Sequence, residues 1–154
     1  RNRGIIGDDA QGINNRLYQI LPGKPKKIFL MCGINDLSHN LSVDSITSLI
    51  DAMIIKIQTA SPKTQIYLQS LLPINESFGK YKRLNDKTEL IPEINKKLKK
   101  VAEKRNITFV QLFPLFVEKN SSVLRKDLTS DGLHLTENGY NIWVKELKQY
   151  VKID

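Results

Sequence analysis

The chain has 154 residues, 24 lysines and arginines against 16 aspartates and glutamates, 40% apolar side chains and a formal net charge of +8. That length and apolar share predict one domain with a sizeable core over residues 1–154 and exclude a disordered chain. The single cysteine, Cys32, can form no internal disulfide, and no window approaches the ~18–20 consecutive apolar residues of a membrane span.

The sequence opens on Arg1 rather than Met, and Asn2, Arg3 and Gly4 read like the inside of a fold. A targeting segment or first strand could have been lost upstream, so the absence of a leader says nothing of secretion; the compartment is unassigned, with a lean towards a secreted or periplasmic protein. The run Arg3-Gly4-Ile5-Ile6-Gly7-Asp8 precedes a helix predicted over about residues 9–21. A glycine at a helix entrance, here Gly7, lets its backbone N–H approach an anion, although a turn without a ligand uses glycine equally well.

Residues 26–31 form a lysine-flanked apolar run that predicts a buried strand. Gly33-Ile34-Asn35-Asp36 follows at once, where parallel sheets place their ligands. The Asn35 amide can stabilise an oxyanion without the desolvation cost of a cation, while Asn and Asp after Gly also form ordinary turns. Cys32 reads as a small buried hydrophobe, and His39 as a surface residue with no partner close in sequence. Ser42 stands at the N-cap of a helix whose apolar stripe is Val43, Ile46, Leu49, Ile50, Met53, Ile54 and Ile57, and Pro62 marks its end.

Residues 64–69 predict a second strand, and residues 107–112 a third. Between them Leu90, Ile91, Ile94, Leu98 and Val101 recur at helical spacing, with Lys96, Lys97, Lys99, Lys100 and Lys104 on the opposite face. The lysines read as a solvated face rather than a phosphate-tracking one, because no nucleic-acid-binding motif accompanies them; no nucleic-acid partner is expected. A last helix carries Tyr140, Trp143, Val144, Leu147 and Val151 as a predicted core stripe, with Thr136 at its N-cap. The alternation predicts an α/β fold with a mainly parallel sheet covered on both faces. Residues 71–87 and 113–128 are too long and irregular for simple connections, and loops of that kind often carry specificity.

Just before the last helix stands Asp131-Gly132-Leu133-His134. An aspartate three residues before a histidine can fold back so that its carboxylate meets one ring nitrogen while the other faces a substrate, an orienter and a base; the alternative is a histidine merely tied down near a helix start. One cysteine and two histidines provide no four-ligand metal site, and no dinucleotide or nucleoside triphosphate loop is present, so no cofactor is expected.

Taken together, Gly7 in Ile6-Gly7-Asp8, the Gly33-Ile34-Asn35-Asp36 block and Asp131-Gly132-Leu133-His134 resemble, in this order, the SGNH (GDSL-like) hydrolases. The resemblance covers essentially the whole chain. It implies a flavodoxin-like three-layer α/β/α sandwich, a triad containing His134 and Asp131, an oxyanion hole lined by Gly7 and Asn35, and a serine esterase that needs no metal or organic cofactor. The family's Gly-Asp-Ser nucleophile block has no counterpart here, and Ser38, Ser42, Ser45, Ser70 and Ser130 stand in the wrong context. Either that block lies upstream of Arg1, and this piece alone is nearly inactive, or it is missing and the protein forms no acyl-enzyme. The expected partner is a small-molecule ester. Asn75, Glu76, Tyr81, Lys82 and Arg83 make the first irregular stretch polar enough for an acetylated carbohydrate. A glycan- or peptide-binding module without catalysis is the alternative, and a flavin binder leaves Asp131 and His134 without a role.

Overall fold

The computed structural model describes residues 1–151. Its elements are α1 (Ala10–Asn15), β1 (Lys27–Leu30), α2 (Ile34–Ser38), α3 (Val43–Ala60), β2 (Gln65–Gln69), α4 (Leu90–Arg105), β3 (Thr108–Val110) and α5 (Glu137–Val151). They fall into two compact units, one of residues 1–71 with 93–110, the other of residues 72–92 with 111 onward.

The first unit is built on a three-stranded sheet in the order β1-β2-β3, every pair parallel. Lys27 to Leu30 pair with Gln65 to Leu68, and Tyr67 to Gln69 with Thr108 to Val110. Parallel neighbours need a crossover, supplied by α3 between β1 and β2 and by α4 between β2 and β3. The α3 stripe is as expected: Ile46, Ile50, Met53, Ile54 and Ile57 are buried, Ser42 accepts the Ser45 N–H at 3.1 Å, and the helix ends before Pro62. In α4, Ile94, Leu98 and Ala102 are buried while Lys96, Lys99, Lys100 and Lys104 are exposed, the solvated face expected of them. Asn95 interrupts that apolar stripe for a reason. Its amide accepts from Leu71 N–H at 2.7 Å and donates to Leu71 C=O at 3.0 Å, satisfying both backbone groups where the chain leaves β2. Alternation along the strands separates two faces: Ile66 and Leu68 are buried, while half-buried Phe29 and Tyr67 stack with ring centroids 4.7 Å apart.

The expected helix over residues 9–21 is shorter. α1 spans six residues, capped by Asp9 accepting Gly12 N–H at 2.8 Å, and gives way to 3₁₀ turns at Leu17–Gln19 and Leu21–Gly23. Gly12, Asn14 and Asn15 are weak helix formers, and Pro22 cannot donate to a continuing ladder. Each strand is also shorter than its apolar run, because the ladder ends where the neighbour's backbone stops pairing.

The second unit packs around Ile74, Leu84, Phe116, Leu124 and Leu128, all buried. The two irregular stretches are ordered by 3₁₀ turns at Glu76–Phe78, Lys82–Leu84, Phe113–Leu115 and Lys126–Leu128, and by an antiparallel bridge between Val117 and Leu124. The predicted core stripe of α5 is a correction. Tyr140, Val144 and Val151 are more than half exposed, and only Gly139 of this helix is buried among the described residues. Helical period determines which side chains share a face but not what covers it. Thr136 occupies the N-cap position, its carbonyl accepting Tyr140 N–H at 3.0 Å, yet its hydroxyl turns to the Asp127 carbonyl instead of the helix.

Candidate active site

Residues 129–135 of the second unit form a loop pinned at its neck. Thr129 and Leu135 make an antiparallel bridge, the Thr129 hydroxyl donates to His134 C=O at 2.7 Å, and it accepts Gly132 N–H at 2.9 Å. The loop folds Asp131 back onto His134. Asp131 Oδ1 accepts the backbone N–H groups of Leu133 at 2.9 Å and His134 at 2.8 Å, and Oδ2 lies 2.8 Å from His134 Nδ1. An ionised carboxylate only accepts, so Nδ1 carries a proton, and in the neutral ring Nε2 presents a lone pair. That nitrogen makes no hydrogen bond among the described residues, and the histidine side chain is 67% exposed against 14% for Asp131. Burial pushes the Asp131 carboxyl up, but hydrogen bonds from the His134 ring, the two backbone N–H groups and Tyr81 outweigh it and hold the group well below the usual carboxylate range.

Tyr81 is the residue that sequence reasoning missed in this role. Its hydroxyl donates to Asp131 Oδ2 at 2.8 Å and lies 3.0 Å from His134 Nδ1. It stands fifty positions from Asp131, so no local spacing could have found it. Tyr81, Lys80, Asp131 and Gly132 line a cavity of only about 10 Å³; an open cleft of about 770 Å³ lies among Asn75, Glu76, Asp86, Thr88, Glu118 and Lys126.

The other two candidates belong to the first unit and share one turn. Gly7 has φ +76°, with open space where a Cβ would stand. The Asn35 amide donates to the carbonyl of Asp8, the next residue, at 2.8 Å. Asp36, buried beside it, accepts Ala10 N–H on both carboxylate oxygens, and Asp8 pairs with Arg16 at 2.6 Å. This ties α2 to the start of α1 and holds the Gly7 turn against Asn35. Gly33, at φ +127°, allows the sharp exit from β1, since a Cβ there would crowd Ile46 and Leu71.

Burial pushes the Cys32 thiol up to about 12, helped by Asp36, Asp8 and Asp9, so it is no nucleophile. His39 is exposed, as expected, but does have a neighbour: its Nδ1 lies 3.9 Å from an Asp9 carboxylate oxygen. Ser42 and Ser45 bond each other, and Ser38 donates to Asn35 C=O. Among the described residues no cluster of three or more His, Cys, Asp or Glu side chains could hold a metal ion, and no helix is long and apolar enough to cross a membrane.

The sequence pattern of the "GDSL-like Lipase/Acylhydrolase family" matches residues 1–142. The chain belongs to that family. As a GDSL-like chain it is 28% identical over 155 residues to the rat (Rattus norvegicus) platelet-activating factor acetylhydrolase IB subunit alpha2, covering 97% of this chain and 63% of that one. A Streptococcus pneumonia protein associated by name with platelet activating factor superposes with TM-score 0.89 at 31% identity, over 99% of this chain and 72% of that one. An acetyl xylan esterase, AlAXEase, shares the fold with TM-score 0.79 at 23% identity, over 97% of this chain and 79% of that one. The chain spans 57–63% of the length of the curated relatives it matches. The expected α/β class with a parallel sheet is therefore that of a GDSL-like hydrolase.

Proposed function

We propose that the complete protein hydrolyses carboxylic esters through an acyl-enzyme, with His134 as the base, Asp131 as its orienter, and Gly7 and Asn35 as oxyanion donors. The observation that carries this reading is the 2.8 Å contact from Asp131 Oδ2 to His134 Nδ1, which leaves Nε2 of an exposed side chain without a hydrogen bond among the described residues. The attacking serine is expected upstream of Arg1. Its hydroxyl proton passes to Nε2 as its oxygen bonds to the ester carbon, and the carbonyl oxygen takes up the negative charge. The Gly7 N–H and the second amide hydrogen of Asn35 are assigned to that charge. When the carbon–oxygen bond to the alcohol breaks, Nε2–H returns the proton to the departing oxygen. Water then repeats both steps on the acyl-enzyme.

The substrate assigned is an acetyl ester on a carbohydrate. Exposed Tyr81, Lys82 and Arg83 support it, as do a relative named as an acetylhydrolase and a fold shared with an acetyl xylan esterase. The test uses the full-length protein and its His134→Ala variant, assayed on acetylated sugars, long-chain acyl esters and a fluorophosphonate. Covalent labelling with acetyl turnover, and a loss of order 10⁴ or more in kcat for His134→Ala, is the expected result. Turnover of long chains alone overturns the substrate, and absence of both label and turnover moves the protein to a binding module.

A further inference from the structure

This inference rests on the esterase reading and concerns how its base is held. A carboxylate has about four acceptor sites, and those of Asp131 are all used. Oδ1 takes two backbone N–H groups, while Oδ2 takes His134 Nδ1–H and the Tyr81 hydroxyl, each at 2.8 Å. Without the phenol, the imidazole is the one protein donor left on Oδ2 among the described residues. The imidazole itself is two-thirds exposed, and the ring it meets is Tyr81, edge-on, with centroids 5.7 Å apart at 67°.

The stretch carrying Tyr81 is held at both ends. Asn75 N–H donates to Gly132 C=O at 2.8 Å and the Asn75 side chain to Leu124 C=O at 2.8 Å, fastening one end to the loop of Asp131. Glu76 closes the stretch on itself, accepting the N–H groups of Asp86 at 2.7 Å, Lys87 at 3.1 Å and Thr88 at 2.9 Å, together with the Thr88 hydroxyl. Tyr81 lies inside the closed segment, between Gly79 and the turn at Lys82–Leu84.

We propose that Tyr81 is a positioning residue for the Asp131–His134 pair, acting through the hydroxyl it shares with Asp131 Oδ2 and presented by a loop that Glu76 closes. It contributes no atom to the reaction. The hydrogen bond to Asp131 holds the phenol above its ordinary range, so it remains a donor wherever His134 works. Lys80 and Glu76 line the same small cavity as Tyr81 and Asp131, and the Glu76 carboxylate is turned to residues 86–88.

Removing the hydroxyl leaves Oδ2 to the imidazole alone. The imidazolium is then better stabilised and titrates at higher pH, while the ring loses its restraint and turnover falls. The experiment is Tyr81→Phe in the full-length protein, which keeps the ring, with pH profiles of kcat and KM on an aryl acetate and NMR titration of the His134 ring. Loss of one charge-assisted, partly exposed hydrogen bond should lower kcat about fivefold to tenfold, with KM changed by less than about twofold. The acidic limb of kcat/KM and the His134 NMR midpoint should both move to higher pH. An unchanged kcat, or a His134 midpoint that stays or moves down, overturns the proposal; a merely structural side chain would leave that midpoint in place. If the wild type turns over no ester, the esterase reading falls, and the NMR titration still decides whether Tyr81 governs His134.

Discussion

Gly132 offers a test of how tightly the Asp131 loop is built. Its φ is +88°, and a Cβ placed there would lie 2.3 Å from the Asn75 carbonyl oxygen and 3.2 Å from Phe78 Cβ. The first contact is with backbone, and it cannot be relieved by rotating a side chain. The Asn75 carbonyl is itself held, because Asn75 N–H donates to Gly132 C=O at 2.8 Å. Gly132→Ala therefore combines two costs. An L residue in the left-handed region costs roughly 1–2 kcal/mol, and moving the two strands of chain apart forfeits a backbone hydrogen bond of about 0.5–1.5 kcal/mol together with nearby packing. A total near 3 kcal/mol should lower the thermal midpoint of a domain of this size by about 6–12 °C. Gly79→Ala is the control: φ is +67° there, but nothing lies within 4 Å of the added methyl, so only the backbone cost applies and the drop should be about half as large. The assay is thermal unfolding of both variants of the full-length protein followed by circular dichroism, with kcat on an acetyl ester for Gly132→Ala, which lies between Asp131 and His134 in the chain. Equal losses in the two variants, or a neutral Gly132→Ala, would refute the close approach of the two loops.

Further expectations concern single groups. Asn35→Ala should lower kcat by ~10²–10³ with little change in KM, since one oxyanion donor is lost; because the same amide supports the Asp8 carbonyl, the thermal midpoint is measured alongside, and an unchanged kcat removes Asn35 from the scheme. Glu76→Gln should destabilise the protein at neutral pH. Burial raises the Glu76 carboxyl, but bonds from Thr88, Asp86 and Lys87 outweigh it and lower the group, so its contribution is present above the unfolded value of about 4.3 and is lost as pH falls through the folded value. The gap between wild type and variant in urea unfolding should thus be widest at neutral pH and narrow below about pH 4, and a gap independent of pH would contradict the assignment. Cys32, with its thiol pushed up to about 12 by burial, should resist iodoacetamide at pH 8 in the folded protein and react on unfolding; rapid alkylation of the native protein would show that its environment is wrongly described.

Much of this protein is readable locally. The stripes of α3 and α4 are contained in helical spacing, and the three strands in short apolar runs flanked by turn residues, because each depends on contacts a few residues apart. Asp131 and His134 are three positions apart, so the hydrogen bond between them closes within one loop and their pairing could be foreseen. Local reading overreached where propensity or covering had to be known. α1 ends after six residues, and α5 leaves Tyr140, Val144 and Val151 exposed, although its period is as regular as that of α3.

What the chain alone determined is therefore the kind of element in each stretch, the strand–helix alternation and the aspartate–histidine pair, all products of local stereochemistry and short-range hydrogen bonding. Tertiary structure decided the rest. Tyr81 reaches Asp131 across fifty residues, Asn95 satisfies Leu71 across twenty-four, and Asn35 meets the turn after Gly7 across twenty-seven. None of these pairings has a periodic trace, since each follows from where two separately formed segments come to rest when buried backbone groups must find partners.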